Sequence, residues 1–208
     1  MSRAQHIYEA LIDSLRNGTY APGDRIRAED VAKLFDVSRT PVREALSRLQ
    51  ERGLLEMTAS GLAVARLGRQ GVLELYALRE LLEGAAAQFA AQHASPADLQ
   101  AMHQISDAFA ATQDNPARAA QINRAFHDAL YEAAHNRFII GVLAGLHDTL
   151  MLLPSTTFAV EGRQKKAVFE HAAILAAIEA RDPSAAEAHA RTHIRSARDA
   201  RLSMMFEY

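Results

Sequence analysis

One stretch of this chain, Leu54–Ala65, reads as β-structure; everything else carries helical periodicity or turn signals. Leu54-Leu55-Glu56-Met57 and Leu62-Ala63-Val64-Ala65 flank Thr58-Ala59-Ser60-Gly61, the pattern of two short strands around a small-residue turn. The fold class is therefore mainly α. Three helices precede the hairpin. Ile7, Leu11, Ile12 and Leu15 recur at helical spacing, and Gly18 follows as a stop. Pro22-Gly23-Asp24 fixes a turn. Val31, Ala32, Leu34 and Phe35 predict a short second helix, broken at Asp36-Val37-Ser38. Val42, Ala45, Leu46 and Leu49 predict a third, with Thr40 as its expected cap, Pro41 in its first position and Gly53 as its end.

Past Arg66-Leu67-Gly68-Arg69-Gln70-Gly71 the pattern is helical throughout. Six helices are expected, near 70–94, 96–113, 116–134, 136–153, 160–180 and 182–205, as an antiparallel bundle. Ser95-Pro96-Ala97-Asp98 and Asp182-Pro183 mark two of the starts as cap followed by first-turn proline. The expected division is 1–66 for the first domain, 67–71 for a linker and 72–208 for the helical domain.

Composition excludes several functions. The 208 residues include no cysteine, which removes disulfides, thiolate metal sites and cysteine catalysis. No apolar run approaches the ~20 residues of a membrane span, and residues 1–15 lack a signal-peptide core, so a cytoplasmic location without membrane contact is expected. No HExxH, nucleophile elbow or phosphate loop occurs, and an enzyme would leave the first 66 residues unexplained. Net charge is −2, split as +1 over residues 1–66 and −3 over the rest, so nucleic-acid binding has to rest on local placement of charge.

That placement is found on the third helix. Helix, turn, helix, break, helix and hairpin is the order of a winged helix-turn-helix, whose third helix enters the major groove of DNA. Arg39 and Arg43 lie one turn apart, Thr40 and Ser47 add hydroxyls, and Arg48 flanks them. Arginine suits bidentate contact with guanine or phosphate; a charged helix face is also often merely solvated. Ser60-Gly61 at the hairpin tip is small enough to approach a minor groove.

The run Val37-Ser38-Arg39-Thr40-Pro41-Val42-Arg43-Glu44-Ala45-Leu46, with Pro22-Gly23-Asp24-Arg25-Ile26 before it and Gly53-Leu54-Leu55 after, resembles the GntR superfamily of bacterial regulators. Tyr76-Ala77-Leu78-Arg79-Glu80-Leu81-Leu82-Glu83, Phe126-His127, Asn136, His171 and His193 resemble the FCD effector domain of its FadR subgroup, and six helices fit the VanR-like branch. The resemblance implies a homodimer on a palindromic operator, with Arg39, Thr40 and Arg43 on the DNA and Ser60-Gly61 in the wing. Glu29 stands where some members carry an arginine.

Eight of the nine histidines lie beyond residue 90. Asn123 and His127, four apart, share a helix face. If the last two helices run antiparallel, His171 and His193 sit at nearly one height, with His189 about a turn nearer the connecting loop. Single histidines on such helices are usually structural. The resemblance implies that Asn123, His127, His171 and His193 hold a divalent metal, zinc first and nickel or manganese as alternatives, with Asn123 in place of the usual aspartate. Tyr76 and Arg79 lie on the helix that in the resemblance lines the effector pocket. An arginine there either clamps a carboxylate effector or pairs with Glu80 or Glu83.

Overall fold

The computed structural model describes residues 2–112, 115–153 and 155–206. Its elements run α1 (Arg3–Arg16), α2 (Ala28–Leu34), α3 (Arg39–Glu51), β1 (Leu55–Thr58), β2 (Gly61–Val64), α4 (Arg69–His93), α5 (Pro96–Ala110), α6 (Pro116–Ala133), α7 (Arg137–Thr149), α8 (Arg163–Glu179) and α9 (Pro183–Phe206). They form two compact units: the described residues within 1–67 and 147–154, and those within 68–146 and 155–208.

The first unit is three helices and a two-stranded wing. The apolar positions read from sequence are those that bury: Ile7, Leu11, Ile12 and Leu15 on α1, and Val42, Ala45, Leu46 and Leu49 on α3, close on Leu54, Leu55 and Val64 of the hairpin. The cap of α3 is Ser38, two residues before the expected Thr40, so Pro41 falls third in the first turn. Proline is tolerated there because the first backbone N–H groups of a helix have no intrahelical acceptor. Gly53 follows α3 at φ +70°, which glycine adopts without the strain of a Cβ. β1 and β2 pair antiparallel from Leu55↔Val64 to Thr58↔Gly61. Residues 23–26 add a partial third strand that sequence did not disclose. Gly23 N–H donates to the Val64 carbonyl (2.8 Å), Val64 N–H to the Asp24 carbonyl (2.9 Å) and Ile26 N–H to the Leu62 carbonyl (2.9 Å). The turn residues that hide this strand also anchor it: Asp24 Oδ2 accepts from Ala21 N–H at 2.8 Å.

The second unit is a bundle in which α9 packs along α4 and α8, α5 packs against α6 and α8, and α4 also meets α6. Alanine richness has a packing reason. Ala86, Ala87, Ala90 and Ala91 of α4 and Ala186 and Ala190 of α9 are buried in one core, where small side chains allow close approach of the helices. At Gly84 a Cβ would stand 2.9 Å from Arg191 Cγ, so alanine there requires the Arg191 side chain to shift. Ser95 and Asp98 form a capping box, and Asp182 accepts from Ala185 N–H at 3.0 Å, as their positions predict. Three boundaries differ from expectation. α7 ends at Thr149 and tightens into a 3-10 turn over Leu150–Leu152. α8 begins only at Arg163, because Gly162 at φ +74° cannot continue a right-handed helix backwards. α5 ends at Ala110, short of the expected end at residue 113, which itself lies outside the described residues.

Candidate functional site

Three helices of the second unit each bury one histidine. His127 comes from α6, His171 from α8 and His193 from α9; they are 1%, 0% and 2% exposed. Ligand nitrogens from the three rings all lie within 4.8 Å of one another. His189, one turn before His193, is exposed and stands outside the cluster. Asn123 lies one turn before His127 on α6, and its side-chain oxygen is buried without a hydrogen-bond partner.

Two carboxylates orient two of the rings. His127 Nδ1 is 2.7 Å from Glu83 Oε2, and His193 Nδ1 is 2.8 Å from Glu170 Oε2. Each carboxylate is held in turn by a buried arginine. Arg79 reaches Glu83 Oε1 through Nε (2.8 Å) and Nη2 (2.7 Å), and Arg163 Nη1 reaches Glu170 Oε2 at 2.9 Å. At His193 the carboxylate on Nδ1 favours the proton there and the lone pair on Nε2; the Glu83–His127 contact is a close ion pair without hydrogen-bond geometry. The two Nε2 atoms then face one another at 3.2 Å. At that distance one ring can donate to the other, or a cation can sit between two lone pairs. His171 has no carboxylate. It stacks on Phe126 with ring centroids 4.0 Å apart and planes at 12°, and both its nitrogens are buried without a hydrogen-bond partner. Leaving a buried polar group unsatisfied costs about 1–3 kcal/mol, so this donor set fits a metal ion better than it fits an empty core.

The electrostatics agree. Burial, then His193 and His127, hold His171 well below the ordinary histidine range; burial, then His127 and Arg163, do the same to His193. Burial pushes the Glu83 carboxyl up, but Arg79 and then His127 pull it further down, so it stays ionised. Both depressed histidines ionise near pH 6.5 in an unfolded chain. Below that pH the unfolded state binds more protons than the folded one, so stability falls with acidification. Chelator-treated protein is expected to lose denaturant midpoint steadily as pH drops below about 6.5; a midpoint flat through that range would show that these rings are solvated.

Arg79 therefore stands in an ion pair with Glu83, one of its two expected alternatives, and Tyr76 packs against it with the guanidinium carbon 5.0 Å from the ring centre. Glu83 was legible only as an ion-pair partner. Arg163 and Glu170 were missed altogether, although Glu170 adjoins His171 and lies seven residues after Arg163. Several other histidines serve elsewhere: His103 pairs with Glu179, His135 with Asp98, His93 stacks on Phe89, and His6 meets Phe35 edge-on.

On α3 of the first unit, Arg39, Thr40, Arg43, Ser47 and Arg48 are all exposed. Arg39 lies 3.6 Å from Glu29 of α2. Ser47 donates to Glu51 at 3.2 Å. Arg48 is drawn onto α1, where it donates to Gln5 at 2.8 Å and lies 4.1 Å over the Tyr8 ring. Ser60 and Gly61 form the wing tip, closed by Thr58 Oγ1 donating to the Gly61 carbonyl at 2.8 Å.

Known proteins share both units. Residues 3–61 match the family described as bacterial regulatory proteins, gntR family, and residues 74–196 match the FCD domain. The HTH-type transcriptional regulator YdhC of Bacillus subtilis (strain 168) is 29% identical over 89% of this chain and 85% of its own length. The Glc operon transcriptional activator of Escherichia coli (strain K12) is 30% identical over 93% of this chain and 85% of its own. The solved structure of E. coli McbR/YncC superposes with a TM-score of 0.77 at 22% identity, covering 94% of each chain. These matches carry a family of transcriptional regulators, not of enzymes, and this chain belongs to it: a gntR-family bacterial regulatory protein with an FCD domain.

Proposed function

We propose that this regulator is a cytoplasmic homodimer of the FadR subgroup, VanR-like branch, whose operator affinity is set by a small organic acid bound beside a metal in the FCD unit. The observation that carries this reading is the buried imidazole trio with both His171 nitrogens unpartnered. His127, His171 and His193 would hold the ion, with Asn123 as a weaker ligand. Zinc is favoured by imidazole donors, with nickel or manganese as alternatives, and would supply positive charge and open positions to a carboxylate. Glu170 keeps the His193 Nε2 lone pair aimed inward, Glu83 lies against His127, and Phe126 holds the His171 ring flat against it. Arg79 commits Nε and Nη2 to Glu83, which leaves Nη1 for the effector's carboxylate; Tyr76 packs on the same guanidinium. Effector control requires the acid to bind two arrangements of the dimer with different affinity. The test is a gel shift on the DNA upstream of this protein's own gene, with and without organic acids and chelator. A shift that no acid alters, before or after chelation, contradicts the reading.

In the DNA-binding unit, Arg39, Thr40, Arg43 and Ser47 of α3 are the proposed groove contacts, Ser60-Gly61 the wing contact and Arg48 a flanking one. Arg43→Ala is expected to weaken operator binding by ~1–3 kcal/mol at fixed salt. Equal weakening on random DNA would make Arg43 a phosphate contact; no weakening would remove it from the interface. One short recognition helix reads few bases, so two-fold pairing on a palindrome is expected. Sedimentation should give a dimer at micromolar concentration, and a monomer binding one per operator would contradict it.

A further inference from the structure

Two cations and two anions lie against the imidazole trio, and they cancel. Arg79 is paired with Glu83, and Arg163 with Glu170. The side chains of these four are 6%, 1%, 4% and 10% exposed, so solvent does little to screen them. Imidazoles bind a metal as neutral ligands, and Asn123 is uncharged. Arg201, also buried, lies eight residues beyond His193, about two turns along α9, and donates to the Ser155 carbonyl at 3.2 Å; it adds no negative charge. Each carboxylate nearest the trio carries one negative charge, already matched by an arginine, although Glu83 Oε2 and Glu170 Oε1 are left without a hydrogen bond.

On the proposed reading that the trio holds a divalent ion, two positive charges enter this interior with no protein carboxylate to offset them. Uncompensated buried charge is strongly unfavourable, so the compensation has to come from the ligand. We infer that the FCD unit of this chain takes a dianion, a dicarboxylate or another small acid with two negative charges, in preference to a monocarboxylate, and that the neutral Asn123 sets this preference. A carboxylate at position 123 would itself supply one of the two charges.

The test uses the full chain, stripped with chelator and reloaded with one equivalent of zinc. Malonate and succinate are titrated calorimetrically, each against its half-amide, which keeps the shape and removes one charge. Zinc content is measured afterwards, so that extraction by the acid is not read as binding. At least one diacid is expected to bind about tenfold or more tighter than its half-amide, with no binding to the metal-stripped protein, whose site charges already cancel. In Asn123→Asp the gap between diacid and half-amide should shrink to a few-fold. Stoichiometric zinc with half-amides bound as tightly as diacids, or with none of the four acids bound, overturns the dianion inference and leaves the metal reading standing. Diacids bound equally well without zinc overturn it as well, since arginines alone would then hold them. Failure of the protein to take up zinc removes the metal reading and the inference with it.

Discussion

Replacing Arg79 by methionine is expected to destabilise the FCD unit by about 3–5 kcal/mol. The arginine and Glu83 are 5% and 1% exposed, and two guanidinium nitrogens lie within 2.8 Å of Glu83 Oε1. Removing the cation leaves a carboxylate in the bundle core with His127 and Tyr131 beside it but no full positive charge to match its own. The carboxyl then either takes up a proton, which releases its hold on His127, or remains charged and poorly solvated. Both outcomes lower stability, and an unpaired buried ion costs far more than an exposed pair contributes. The double variant Arg79→Met with Glu83→Leu should be less destabilised than the single variant, because it removes both desolvated charges together. Urea unfolding of the full chain, followed through the transition of the larger unit, gives the difference from the midpoint at constant slope. A loss under about 1 kcal/mol for the single variant, the range of solvated pairs, would show that this pair is not buried.

The parts of the fold legible in sequence are those written in local periodicity. The apolar faces of α1 and α3, the hairpin, the capping box at Ser95 and Asp98 and the cap at Asp182 all follow from spacing and turn chemistry. The parts missed depend on long-range pairing or on one backbone angle. Residues 23–26 join the wing through hydrogen bonds to residues some forty positions away, which no periodicity announces. The late start of α8 hangs on the left-handed Gly162. At the site, the histidines stood out by residue type and matched height, and His127, His171 and His193 converge. The Arg79–Glu83 and Arg163–Glu170 pairs did not stand out, because ion pairs at helical spacing are common on solvated faces and only tertiary packing buries these two.

Loss of any one imidazole should abolish metal retention, since three helices each contribute one ligand. Carboxylates that orient the rings act more weakly: Glu170→Gln retains a hydrogen-bond acceptor for His193 Nδ1 but loses the charge, and metal affinity is expected to fall about 10–100-fold. Metal occupancy also links three helices, so the loaded protein should melt higher than the stripped one, by an amount that grows with free metal. His171 is the most discriminating position. It makes no hydrogen bond and stacks on Phe126, so its nitrogens have no structural task that a metal-free account requires. Elemental analysis of wild type and His171→Ala, both purified without chelator, is the direct measurement. The account predicts about one divalent ion per wild-type protomer and none in the variant. Substoichiometric metal in both, with melting unaffected by chelator, would contradict it.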